Sequence, residues 1–154
     1  MRTLYLIIAL VWLKPSPARA EFAAGLQAYD GGDYTLALAE WRAAADAGDP
    51  DAQIALAELF IQGLGVARNP SMAVHWYRRA AHQGALIAQL NLGDLYARGP
   101  GVERDLVRAY AWLQMAARRG QKWALRRRDE IGRRLTAEQI AAALALTNAP
   151  HSMY

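Results

Sequence analysis

The strongest constraint on this chain is a self-similarity of fixed period between Asp49 and Gly120. Two stretches of thirty-six residues, DPDAQIALAELFIQGLGVARNPSMAVHWYRRAAHQG and ALIAQLNLGDLYARGPGVERDLVRAYAWLQMAARRG, follow one pattern. Laid over each other, Ala52-Gln53 meets Ala88-Gln89, Leu56 meets Leu92, Leu59 meets Leu95 and Phe60 meets Tyr96. Gly63, Gly65 and Val66 meet Gly99, Gly101 and Val102; Ala73 and Trp76 meet Ala109 and Trp112; Ala80, Ala81 and Gly84 meet Ala116, Ala117 and Gly120. Repetition at such a period implies stacked supersecondary units, each burying its apolar face against the next.

The local pattern identifies the unit. Ala52, Leu56, Leu59 and Phe60, then Ala73, Trp76 and Ala80, recur at the three- and four-residue spacing of amphipathic helices. Asp49-Pro50 and Asn69-Pro70 each read as a helix N-cap followed by proline at the first helical position. Gly84 and Gly120 read as left-handed caps that end the second helices. The Gly-x-Gly-Val links are tight turns that need unusual backbone angles, with Val66 and Val102 tucked inward. Ala80-Ala81 and Ala116-Ala117 lack bulk and let helices approach to about 8–9 Å, while Trp76 and Trp112 fill wider gaps in the core.

These residues resemble the Sel1-like repeat family, a relative of the tetratricopeptide repeats. The matching signature is A-Q-x-x-L-G-x-x-Y-x-x-G-x-G-V, then A-x-x-W and A-A-x-x-G. The second copy matches it almost throughout; the first has Ala57 in place of Gly93 and Phe60 in place of Tyr96. The resemblance implies an all-α fold, an α/α solenoid of antiparallel helix pairs in which the first helix of each pair lines a concave surface.

The flanks fit this organisation. Arg2, the apolar run Leu4–Leu13, the breaker Lys14-Pro15-Ser16-Pro17 and the small-x-small site Ala18-Arg19-Ala20 read as a secretory signal over 1–20. The run is too short to span a bilayer comfortably, and no transmembrane span is expected in the mature chain. Residues 21–48 read as a shortened, divergent first repeat: Phe22–Tyr29 as its first helix, Asp30-Gly31-Gly32-Asp33 as the link, and Asp33 or Thr35 as the next cap. Residues 49–84 and 85–120 are the full copies, and 121–154 the C-terminal capping helices and tail. There, Trp123–Arg134 reads as a helix with Trp123, Leu125, Ile131 and Leu135 available to pack. Thr136-Ala137-Glu138-Gln139 opens another helix with a capping box, and His151–Tyr154 is a frayed tail.

Composition narrows the function. Without cysteine there are no disulfides, thiolate metal sites or thiol nucleophile. Some cysteine-rich Sel1-like proteins are linked to β-lactam binding, but this chain lacks their cysteine pairs. Removing the leader takes away Arg2, Lys14 and Arg19, leaving 15 basic against 14 acidic residues, so net charge argues for no nucleic-acid partner. The charge is uneven: Glu21–Met115 holds eleven acids and seven bases, while Ala116–Leu135 holds eight bases against Asp129 and Glu130.

No chemistry stands out. His75 and His82 lie seven residues apart without the spacing of a zinc pair and read as surface histidines. Glu58 and Asp94 stand one period apart, as equivalent positions on an exposed face do. The Gly-x-Gly turns lack the Lys-Ser or Lys-Thr of a phosphate loop. No catalytic residue, cofactor or metal is expected. The expected function is a scaffold for protein or peptide contact. Positions free of the signature, namely Gln27, Ala55, Glu58, Gln62, Asn91, Asp94 and Arg98, would form a polar, mildly acidic concave face. The alternative is an anionic envelope component held by Arg118, Arg119, Lys122, Arg126, Arg127 and Arg128. The expected location is periplasmic or extracellular.

The leader reading predicts a mature N-terminus at Glu21, measurable by intact mass of the exported protein. Retention of Met1, or a cytoplasmic location, would overturn both the leader and the envelope assignment.

Overall fold

The computed structural model describes residues 16–149. The described residues form eight helices and no strand: α1 (Pro17–Asp30), α2 (Tyr34–Asp46), α3 (Pro50–Gln62), α4 (Pro70–His82), α5 (Leu86–Arg98), α6 (Leu106–Ala117), α7 (Lys122–Gly132) and α8 (Ala137–Asn148). Successive helices from α1 to α7 pack on one another, and α8 returns to pack on α6. Residues 1–15 of the expected leader and the tail 150–154 lie outside the described residues. α1 starts at Pro17 under a Ser16 cap, ahead of Phe22, so the Ser-Pro pair opens a helix and the expected cleavage position falls within α1.

Side chains written in the sequence set most of the helix starts. Asp33, Asp49, Asn69 and Asp105 each accept from a backbone N–H three residues on, at 2.9–3.1 Å. Thr136 and Gln139 close the reciprocal capping box at 3.2 and 2.9 Å. The second copy replaces Asp49-Pro50 with Ala85-Leu86, and α5 starts without a side-chain cap. At the far end of α4, Gly84 takes φ +81°, Ala85 N–H donates to the Ala80 carbonyl at 3.1 Å, and Gly84 N–H donates to Ala81 at 3.0 Å. That is a Schellman motif, and it turns the chain into the next repeat.

Two devices join one repeat to the next. The first is a buried amide. Gln53 is 1% exposed and donates to the Ala45 carbonyl at 3.1 Å; Gln89, 3% exposed, donates to Ala81 at 3.4 Å. Both acceptors belong to the last turn of the preceding helix, where carbonyls lack intrahelical partners. Gln53 also accepts from Gln83 Nε2 at 3.0 Å, and that nitrogen donates to the Gly48 carbonyl at 2.9 Å. The second device is a backbone-on-backbone contact. Gly101 sits at φ +79°, and a Cβ there would stand 2.4 Å from the carbonyl carbon of Pro70, at the start of α4. Ser71 Oγ donates to the Gly101 carbonyl across the same contact at 3.1 Å. Gly65 repeats the arrangement one unit earlier, against Tyr34.

The core follows the expected register. Trp76 and Trp112 are buried with Leu56, Leu59, Leu92, Ala80 and Ala116, and Val66 and Val102 pack against this cluster from its edge. In the first repeat Trp41 stacks on Phe22 and donates to its carbonyl at 3.1 Å. The C-terminal expectation needs correction. On α7 the buried residues are Ala124 and Ile131, whereas Trp123 and Leu125 are 48% and 42% exposed. The core row on this helix runs through Ala124 and Ile131, seven apart, which places Trp123 one residue off the row.

Gly101→Ala should destabilise the fold well beyond Gly84→Ala in denaturant unfolding. Both substitutions meet the left-handed penalty of about 1–2 kcal/mol, but nothing lies within 4 Å of the Gly84 Cβ position. Equal losses would show that the Gly101 contact yields freely. Truncation after Gly120 should leave the protein aggregation-prone with a lowered melting temperature, because α7 and α8 both cover α6. Each Å² of apolar surface uncovered costs about 25 cal/mol. A truncated chain that stays monomeric with unchanged melting would show that this segment is no cap.

Candidate interaction surface

Glu58 sits on α3 with its carboxylate half-buried. Its Oε1 accepts a short hydrogen bond from the Tyr77 hydroxyl of α4 and a second from Asn91 Nδ2 of α5 at 3.2 Å. Tyr77 is 2% exposed, and burial, followed by the bond to a carboxylate, pushes its hydroxyl far above the usual tyrosine range. The hydroxyl therefore remains a donor across the physiological range, and Glu58 is occupied from within the protein.

One turn further along α5, Asp94 is held from two sides. Arg98, four residues on, pairs with its Oδ2, and Arg127 of α7 reaches its Oδ1 at 3.4 Å. Arg127 also pairs with Glu130 at 3.0 Å. These bonds run from α3 through α5 to α7 and place the first helices of successive pairs side by side on one face. Two hollows open there. One, of about 200 Å³, lies between Glu58, Tyr77, Asn91 and Arg98. The other, of about 520 Å³, is lined by Asp94, Arg98, Trp123, Arg126, Arg127 and Glu130.

This arrangement redraws the two surfaces expected from sequence. Asp94 and Arg98 share a hollow with Arg126 and Arg127, so part of the basic segment belongs to the same face as the repeat positions. The remaining bases face elsewhere. Arg119 donates to the Gly84 carbonyl at 2.5 Å and lies with Arg118 beside Met115 and Thr147. Arg128 turns to Gln114 at 2.6 Å and to Asp129, over the Tyr110 ring. Lys122 is exposed. The six residues do not make one patch. Ala55 is half-buried, and Gln27 and Gln62 are exposed, their side chains without hydrogen bonds among the described residues.

The acidity expected of this face is also corrected. Glu58 and Asp94 form no carboxylate pair open to a ligand; one is covered by Tyr77 and Asn91, the other by two guanidinium groups. Sequence reasoning missed Tyr77 as a site residue. Its signal was a polar aromatic where the second copy has Leu113, and Leu113 is buried. It also assigned Trp123 to the core. Of the histidines, His75 is exposed, but His82 is half-buried with its ring edge-on to Trp112 at 6.2 Å. Among the described residues no three His, Asp or Glu side chains stand close enough to hold a metal ion, and no helix is long and apolar enough to cross a membrane.

The Sel1 repeat profile matches residues 50–84 and 86–121. A search of curated proteins gave no match. Among solved structures, a Sel1 repeat protein from Oxalobacter formigenes is 32% identical with a TM-score of 0.68, covering 73% of this chain and 88% of its own. A protective antigen present in uropathogenic Escherichia coli strains, displaying an SLR fold, is also 32% identical, with a TM-score of 0.81 over 90% of this chain. This chain spans 31% of the length of that antigen. With the repeat signature, the helix-pair stacking and these likenesses in agreement, the chain belongs to the Sel1 repeat family.

Proposed function

We propose that this chain is an exported scaffold that holds a segment of another protein on the face made by α3, α5 and α7. Sel1 repeats generally serve as scaffolds for protein–protein contact. The observation that carries the finer reading is the open 520 Å³ hollow on this face, where a half-exposed indole and exposed guanidinium groups border the repeat positions Asp94 and Arg98. Aromatic and arginine side chains dominate the energetics of protein interfaces. The export part rests on Arg2, the apolar run Leu4–Leu13 and the Ala18-Arg19-Ala20 site. A polyanionic envelope ligand is less well supported, because the bases it would need point in several directions.

A photo-crosslinking residue at Gln62, exposed at the end of α3, should give a protein adduct in an envelope fraction. The same residue at His75, exposed on α4, should not. An adduct from His75 alone would overturn the assignment to this face.

A further inference from the structure

We propose that the hollow between α5 and α7 selects a peptide segment in which acidic side chains flank an aromatic one, the carboxylates meeting Arg98 and Arg126 and the ring meeting Trp123. This inference rests on the scaffold reading and specifies the chemistry of the partner.

The charge balance inside the hollow sets the sign. Its two carboxylates are already engaged: Asp94 by Arg98 and Arg127, Glu130 by Arg127. Three arginines against these two acids leave one positive charge in excess. Glu130 is exposed but paired to Arg127, and Asp94 is the more covered carboxylate. The Arg98 side chain is 66% exposed against 19% for Asp94, and the exposed Arg126 guanidinium has no hydrogen bond or ion pair among the described residues. In the neighbouring hollow Glu58 Oε1 accepts from Tyr77 and Asn91, which hold that carboxylate toward α4 and α5. A carboxylate entering here meets the unpaired Arg126 guanidinium and the exposed face of Arg98, which bind it with charge-assisted hydrogen bonds. A lysine side chain meets the same groups as like charges.

The indole sets the second requirement. Trp123 and Arg126 are three residues apart on α7 and share one side of the helix. The neighbouring Ala124 and Ile131 make the core contacts of this helix, so Trp123 at 48% exposure is not needed to hold α7 in place. A large apolar surface left open beside free cations suits a ring that packs on the indole while its flanking acids pair with arginine. A long polyanion would need a continuous basic track, and Arg118, Arg119 and Arg128 leave this face.

The test uses two capped peptides, Ser-Glu-Glu-Phe-Glu-Ser and its counterpart with lysine for every glutamate, titrated calorimetrically onto the full chain. The acidic peptide should bind and weaken as salt is raised, while the lysine peptide should not bind. Arg126→Glu should weaken the acidic peptide by about tenfold or more, a change of about 1.4 kcal/mol. Arg133→Glu, the same charge change outside the hollow, should leave it within about twofold, the scatter expected of a screened surface charge. Trp123→Ala should weaken the phenylalanine peptide and leave a Phe-to-Ala version unchanged. Melting curves match among the variants if all three side chains are exposed and dispensable for folding. Equal binding of the lysine peptide, no acidic binding, or equal effects of Arg126→Glu and Arg133→Glu would overturn the proposal. A Gln62 adduct that persists in Arg126→Glu and Trp123→Ala would overturn this hollow as the contact and leave the scaffold reading standing. Loss of all Gln62 adducts from the unaltered chain would remove the scaffold reading itself.

Discussion

The stack depends on backbone meeting backbone between repeats. At Gly101 and Gly65 the turn of one unit lies directly on the first residues of the second helix in the unit before it, with no space for a Cβ. That contact fixes the distance between units. Once it is fixed, the alanine-rich faces around Ala80 and Ala116 come into register, and Trp76 and Trp112 fill what remains. Close packing of this kind tolerates little adjustment, since interiors pack as densely as organic crystals. The period of the sequence and the spacing of the units are thus one constraint expressed twice.

Burying helix ends creates a polar problem that the same sequence pattern solves. A helix terminus leaves carbonyls without partners, and an unpaired buried polar group costs about 1–3 kcal/mol. Gly48 and Gly84 N–H already donate to the Ala45 and Ala81 carbonyls, and Gln53 and Gln89 add a second donor to each, so the amide in the Ala-Gln signature ties each unit to its predecessor. Where a large side chain lies against a neighbouring helix, small residues make the space. A Cβ on Gly25 would fall 2.3 Å from Trp41, and one on Gly93 would fall 2.6 Å from Leu113. In the first copy the positions of Gly93 and Leu113 hold Ala57 and Tyr77, and this pair is where the contacts of the two units diverge. Tyr77 sends its hydroxyl to Glu58, whereas Leu113 has nothing to offer Asp94, which turns to the arginines of α5 and α7 instead.

This difference sets the electrostatics of the face. Two acidic residues at equivalent positions, read along the sequence, suggest a negative surface. In three dimensions each makes internal contacts, and Arg98 and Arg126 are exposed beside them. The Asp94–Arg127 pair also joins the last repeat to α7, so the C-terminal segment is continuous with the face made by α3 and α5.

Much of the fold is legible from the residues themselves because caps, turns and apolar periods are local. Asp49-Pro50, Asn69-Pro70, the Thr136–Gln139 box and the glycine turns act within a few residues, and their roles follow from backbone hydrogen bonding alone. The repeat then determines that the pairs stack. What local pattern does not contain is the direction a side chain takes once neighbours compete for it. Trp123 reads as core by hydrophobicity, yet Ala124 and Ile131 occupy the row facing α6. His82 reads as surface by polarity, yet Trp112 covers one edge. The six bases from Arg118 to Arg128 read as one patch because they are close in sequence, but a helix end and a turn lie between them and send them to different sides. Sequence alone determined the helices, their order and their repeat; tertiary packing decided which charges cancel and which face solvent, because that depends on partners thirty or more residues away.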